Sequence, residues 1–267
     1  MIRLAVRVPA AHADVVMAAL LELAPSGIEQ VDRADEVEFA VYGTPGELPE
    51  LAEGEAEVAG VRVMVSGTEV ADDWEERWKR FHVPVMVGGR LYVRPPWEPT
   101  VERDGVLDIV IDPGRAFGTG SHSTTRLCLE LLLEIEPGGS VCDLGSGSGV
   151  LAIAAARLGF GPVHALDSDP LATEATEANA ADNGIELASI GRLNLREEPA
   201  PEADLVLANL MRPLLWGVAQ LMGDWRPPFM IASGLLEEEA DEIAAAFAPM
   251  GEMRRMADKG WAALLLR

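Results

Sequence analysis

The period of the apolar positions changes along the chain, and the changes divide it into three stretches. Residues 2–8 alternate like a strand, and 11–24 carry apolar residues at helical spacing until Pro25-Ser26-Gly27 ends the run. An extended run at 28–42 follows, then a short Pro- and Glu-rich segment at 44–57 read as a short helix, then the strand-like Val61-Arg62-Val63-Met64-Val65. Strand, helix, two strands, short helix, strand is the order of a ferredoxin-like α+β unit, which places a first domain over 1–67. The second stretch, 68–82, is an expected linker helix. Asp72 caps it, and Trp74, Trp78 and Phe81 share one face, read as packing on a neighbouring domain, with a ligand platform as the competing reading.

The third stretch, 83–267, begins with short strands over 83–112, broken by Gly88-Gly89, Pro95-Pro96 and Pro99. From Ser121 onward helix and strand alternate: a helix at 122–135, the buried strand Ser140-Val141-Cys142-Asp143, a helix at 149–158, a strand at 163–167 and a helix at 170–182. A strand at 204–208, a helix near 212–222, a strand at 228–232 and a helix at 237–248 continue the pattern. Two closing strands, 252–257 and 260–266, are joined by the turn signal Asp258-Lys259-Gly260. Alternation of this kind predicts an α/β fold, a Rossmann-like doubly wound parallel sheet with a terminal antiparallel strand.

Composition adds boundaries to this picture. With 21 Lys and Arg against 44 Asp and Glu, the net charge of −23 repels a phosphate backbone, so direct nucleic-acid binding is not expected. Residues 1–67 hold 12 acidic and 4 basic residues and no catalytic constellation, the character of a recognition module. Cys128 and Cys142 stand in apolar surroundings without C-x-x-C spacing, so they read as small buried hydrophobes, and no metal site is expected. No stretch reaches the roughly 18 uninterrupted apolar residues of a membrane span, and the amino terminus lacks a signal-type core, which predicts a cytoplasmic protein.

Four places carry chemistry. The run Val141-Cys142-Asp143-Leu144-Gly145-Ser146-Gly147-Ser148-Gly149 is a strand entering a Gly-rich turn that opens a helix, where a ligand can approach the backbone at the carboxyl edge of the sheet. A dinucleotide fingerprint needs a third glycine where Val150 stands, and the spacing instead resembles the methyltransferase pattern D-x-G-x-G-x-G; a purely structural turn is the competing reading. Asp167 ends the next strand, 22 residues after Gly145, where a carboxylate accepts ribose hydroxyls of NAD or S-adenosylmethionine equally well, or caps a helix ahead of Pro170. Asn209 ends a later strand on the same edge and offers both an acceptor and a donor to a substrate amine or cofactor tail. The loop Asp112–Thr125 precedes them all. Its Phe117 is placed to cover a methyl donor, and its His122 lacks a partner at base-like spacing and reads as a helix-starting residue.

At that loop the chain resembles a known family. D-P-G-R-A-F-G-T-G-S-H-S-T-T-R-L-C-L-E, then D-L-G-S-G-S-G-V-L-A-I-A-A-A-R-L-G, A-L-D-S-D-P, A-N-L, S-G-L-L and the W-A-A-L-L-L-R terminus are similar to the ribosomal protein L11 methyltransferases. The likeness runs over roughly 70–267 and reaches the first 67 residues by layout only. It implies a seven-stranded methyltransferase domain that uses S-adenosylmethionine and releases S-adenosylhomocysteine. It further implies a small amino-terminal domain that holds a basic large-subunit ribosomal protein, and methylation of that substrate's amino-terminal amine and lysines. By the same resemblance Phe117, Thr119, Thr125, Gly145, Gly147, Asp167 and Asn209 are cofactor positions, with Asn209 also orienting the amine. Met211-Arg212 depart from the family's small or apolar residues at that point. The competing functions are a methyltransferase of another protein or a small molecule, a non-catalytic cofactor-binding protein and, more remotely, a dinucleotide oxidoreductase.

Overall fold

A computed structural model of the chain describes residues 2–23, 28–32, 36–43, 48–49, 51, 54–69, 79, 82–114, 116 and 118–267. These fall into two compact units, Met1–Phe81 and His82–Arg267.

In the first unit β1 (Ile2–Pro9) alternates so that Leu4, Val6 and Val8 enter a core with Phe39, Val63 and Val65 of neighbouring strands. Val16 and Leu20 of α1 (Ala13–Leu23) complete that core. β2 (Glu29–Asp32), β3 (Glu36–Gly43), β4 (Gly54–Val58) and β5 (Val61–Glu69) join β1 in the order β2-β3-β1-β5-β4, all pairs antiparallel. The first four strands of that order have the expected ferredoxin-like arrangement. The short helix expected within 44–57 is corrected at its end: 54–58 is a strand whose Glu55 and Glu57 are exposed. Ala59 and Gly60 take φ of 50° and 79°, the two-residue turn that returns β4 against β5. On the sheet face opposite to the α1 core, Arg7 stands directly across from Glu38 and Arg3 four residues back along β1, across from Tyr42; Glu38 accepts from Arg3 Nη2 at 2.6 Å and from Arg7 Nε at 2.5 Å. Most of the expected linker helix, with Trp74, Trp78 and Phe81, lies outside the described residues.

The second unit opens with a three-stranded sheet, β6 (Val85–Val87), β7 (Leu91–Arg94) and β8 (Leu107–Val110). Arg94 closes it by a two-pronged grip on Asp108 at 2.8 and 2.7 Å. A seven-stranded sheet then forms from β9 (Val141–Leu144), β10 (Val163–Asp167), β11 (Ser189–Arg192), β12 (Leu205–Asn209), β13 (Phe229–Leu236), β14 (Glu252–Asp258) and β15 (Trp261–Leu266). Its order is β11-β10-β9-β12-β13-β15-β14, with β15 antiparallel to its neighbours. Successive residues of β12 alternate between two cores: Leu205 and Leu207 join Cys128 on one face, Val206 and Ala208 join Cys142 on the other. The helices are α2 (Ser123–Leu132), α3 (Val150–Leu158), α4 (Pro170–Asp182), α5 (Arg212–Leu221) and α6 (Ala240–Ala246). The sequence reading omits β11, because Ser189-Ile190-Gly191-Arg192 at the sheet edge has one large apolar residue and no clear alternation. Among the described residues no helix is long and apolar enough to cross a membrane.

Candidate active site

Chain order reverses between β9 and β12: β10 and β11 lie to one side of β9, β12 and β13 to the other. At such a switch point the loops after adjacent parallel strands part and leave a crevice at the carboxyl edge. Gly145 follows β9, Asp167 ends β10 and Asn209 ends β12, so three of the residues singled out in the sequence stand on one edge at three neighbouring strands.

The turn after β9 must be built from glycine. Gly145, Gly147 and Gly149 take φ of 70°, 54° and 80°. A Cβ on Gly145 would meet Leu210 Cδ2 at 2.4 Å, so a larger residue there would have to displace the Leu210 side chain as well as bear the strain of the positive φ. Four of the turn's five amides are used inside the protein. Gly145 N and Ser146 N donate to Leu166 O at 2.8 and 3.1 Å, Gly147 N to Asp167 Oδ2 at 2.9 Å, and Gly149 N to Ser146 O at 2.7 Å. A phosphate-binding turn aims those groups at its ligand; this one does not.

The helix start is taken as well. Gly149, the N-cap of α3, has no side chain to offer, and Asp143 substitutes for it from the end of β9: its Oδ2 accepts from Ala152 N at 3.0 Å. Among the described residues its buried Oδ1 has no hydrogen-bond partner. Burial pushes the Asp143 carboxyl up to about 7; the bond from Ala152 opposes this only in part, and the charge of Asp167 adds to it. Asp167 accepts from Gly147 N through Oδ2 and from Asp169 N through Oδ1 at 3.0 Å, while Asp169 caps α4 through Leu171 N at 2.9 Å. Capping therefore falls to Asp169, and Asp167 is held facing the turn.

Thr125 lies buried in the first turn of α2 and its Oγ1 accepts from Asn209 Nδ2 at 3.2 Å. That bond fixes the amide so that, among the described residues, Asn209 Oδ1 has no protein partner and remains an acceptor. Thr119 pairs its hydroxyl with Ser121 at 2.8 Å, and among the described residues no hydrogen bond joins it to the other candidates. Gly118 is brought to the Gly-rich turn, its carbonyl accepting from Ser148 Oγ at 2.6 Å. Phe117 lies outside the described residues. His122 is the N-cap of α2: Nδ1 is 2.9 Å from Thr124 Oγ1 and accepts from Thr124 N at 3.4 Å, and the ring packs edge-on against Trp261. Burial, with the charge of Lys259, lowers its pKa. The helix-starting reading of His122 agrees with this placement. Of the departing pair, Met211 is exposed and Arg212 is turned to Glu239 and Glu242, both at 3.1 Å.

Two buried asparagines escape the sequence reading. Asn179 and Asn183 lie four residues apart on the inner side of α4, where a helix of this kind ordinarily buries apolar residues; the break in that rule is the signal available beforehand.

Comparison with known proteins follows the same lines. The family model described as ribosomal protein L11 methyltransferase (PrmA) matches residues 4–267. A relative named ribosomal protein L11 methyltransferase, from Pelotomaculum thermopropionicum, is 41% identical over 226 residues, covering 82% of this chain and 72% of its own. The solved structure of a ribosomal protein L11 methylase from Lactobacillus delbrueckii subsp. bulgaricus superposes with a TM-score of 0.63 at 29% identity, over 70% of this chain and 98% of that one. A tRNA (uracil-54, C5)-methyltransferase from Pyrococcus abyssi, solved with S-adenosyl-L-homocysteine, shares the fold at a TM-score of 0.51 and 20% identity, over 62% of this chain and 43% of that one.

Proposed function

The chain belongs to the ribosomal protein L11 methyltransferase family, and from that membership we propose that it methylates amines of ribosomal protein L11 with S-adenosylmethionine as donor, at the carboxyl edge of β10, β9 and β12. The observation that carries this reading is the state of the Gly-rich turn. The amides of Gly145, Ser146, Gly147 and Gly149 are consumed internally and two carboxyl groups, Asp143 and Asp167, flank the turn. Such a turn disfavours a diphosphate and suits a ligand with a cationic sulfonium and ammonium.

When bound, the donor supplies an electrophilic methyl group on sulfur. Gly145 and Gly147 admit it close to the backbone, Asp167 accepts from its ribose hydroxyls, and Thr125 reaches it through Asn209. Phe117 and Thr119, on the loop before α2, cover it. Asn209 Oδ1 accepts from the incoming amine and aims its lone pair, which is the contribution that orientation makes to a displacement in line. The amine must arrive neutral. Deprotonating a lysine at pH 7 costs about 4.6 kcal/mol and an α-amine about 1 kcal/mol, so the amino-terminal amine is the easier target and lysines need a desolvating pocket. Water takes the proton after transfer. The first unit, rich in carboxylates, holds the basic substrate, and the setting is the cytoplasm.

Calorimetry with S-adenosylmethionine and NAD side by side tests the ligand: binding of the first alone is expected, and binding of NAD alone overturns the reading. Ribosomes lacking these methyl groups, incubated with enzyme and labelled donor, should take up label in one small protein. Asn209→Ala is expected to lower turnover at least about tenfold with folding intact; unchanged turnover at saturating substrate removes Asn209 from the reaction.

A further inference from the structure

Helix α4 buries only alanines, Thr176 and Asn179, with Asn183 at its C-cap. Thr176, Asn179 and Asn183 lie at i, i+3 and i+7, one stripe along the helix. Each makes hydrogen bonds to a different segment of the second unit. Thr176 Oγ1 donates to Gly147 O at 3.0 Å. Asn183 holds β8, accepting from Val110 N at 2.9 Å and donating to Val110 O at 2.7 Å. Asn179 alone bridges two loops: Oδ1 accepts from Asp112 N at 2.9 Å, and Nδ2 donates to Ser148 O at 2.8 Å. Ser148, wholly buried, sends its hydroxyl on to Gly118 O. Asp112 and Gly118, at two points of the loop that carries Thr119, are thus both registered to a single residue of the Gly-rich turn.

We propose that Asn179 and Ser148 are positioning residues that set the donor site, by fixing the backbone at Asp112 and Gly118 against the Gly-rich turn. The inference rests on the reading of this edge as the donor site. Fully buried amides and hydroxyls cost desolvation that a leucine or alanine at the same positions would avoid. What they supply in return is a fixed distance between two segments that share no strand or helix. Asn183 provides the contrast on the same helix, with as many buried bonds spent on a strand that lies outside the site.

The test compares N179A, S148A and N183A in the full-length protein by donor KM and kcat, and by hydrogen exchange at Asp112 and at Gly118–Ser121 without donor. N179A and S148A are expected to raise the donor KM about tenfold with kcat within about twofold, the scale of one or two buried hydrogen bonds. They should also speed exchange at those amides. N183A should lower thermal stability comparably while leaving KM within about twofold. A simple structural role predicts equal KM changes in N179A and N183A, and that result, or exchange unaltered in N179A and S148A, overturns the proposal. If N179A does not fold, S148A, which removes one hydroxyl, decides alone. A wild-type chain that binds no S-adenosylmethionine in calorimetry defeats the donor reading instead, and the exchange data still report on the tether separately.

Discussion

Glu38 in the amino-terminal sheet and Asp143 at the end of β9 are the two buried carboxyl groups among the described residues, 3% and 1% exposed, and their surroundings differ at each point that governs ionisation. Burial alone would push Glu38 up, but bonds and charges from Arg3 and Arg7 on the next strand hold it down to about 2. Asp143 has one backbone N–H, one unpartnered oxygen and a second carboxylate nearby, and burial takes it up to about 7. The first arrangement stabilises a sheet face. The second costs stability at neutral pH, and it stands behind the Gly-rich turn at the start of α3. A carboxyl group left in that condition is the mark of a site, whereas a carboxylate matched by cations is a mark of construction.

The largest expected effect comes from removing the matched charge. Because the folded value of Glu38 lies below its ordinary 4.5, its contribution is complete above that pH and disappears as pH falls toward 2. Glu38→Gln should therefore destabilise the fold by about 3 kcal/mol at pH 7, with the gap narrowing at pH 3, as read by urea unfolding. A gap that does not change with pH would mean that the carboxylate is not the source of the stability.

Asp143 should respond with the opposite sign. Its folded value lies above 3.8, so its neutral form is favoured on folding, and stability present in acid is lost as pH rises through about 7. Asp143→Asn keeps an acceptor for Ala152 N but leaves an unpaired donor at a cost of about 2 kcal/mol at any pH, so the net gain is about 2 kcal/mol at pH 8 and turns into a net loss of about 2 kcal/mol at pH 4. Thermal unfolding across that range is the measurement, and a loss of stability at pH 8 would contradict the comparison. The same variant should bind S-adenosylmethionine about tenfold more weakly; unchanged affinity would mean that the strained carboxyl group is kept for some other purpose.

These two residues were not equally legible. Asp143 stood out in the sequence because it precedes three glycines at fixed spacing, and Gly145, Asp167 and Asn209 could be placed on one edge because each closes a strand of an alternating helix–strand pattern. Glu38 lies in a strand with no motif; its importance arises from Arg3 and Arg7, which are 35 and 31 residues away and meet it only through strand register. The same reason hid Asn179 and Ser148, whose partners lie 67 and 30 residues off. The edge strand β11 and the hairpin strand β4 were missed because short strands with few large apolar residues have a weak periodic signal, and it is pairing with β10 and β5 that defines them. Local chemistry was thus readable where the chain carries it in one stretch, and unreadable where the fold assembles it from several.

The smallest effect tests whether the Glu38 cluster is one unit or two pairs. The Arg7 side chain is 44% exposed and that of Arg3 23%, and Arg3 also donates to the Tyr42 hydroxyl at 3.1 Å. Solvent screens the Arg7 pair more, so Arg7→Ala should cost less than about 1 kcal/mol and lift the Glu38 carboxyl only part of the way toward 4.5 in an NMR titration. Arg3→Ala removes the better-shielded cation together with the tie to Tyr42 and should cost more. If Arg7→Ala instead costs as much as Glu38→Gln, the buried carboxylate requires both guanidiniums at once. A single cation would then be insufficient to hold a buried carboxylate ionised in this protein, and the rise of the Asp143 carboxyl, which has no cation beside it among the described residues, would follow from the same rule.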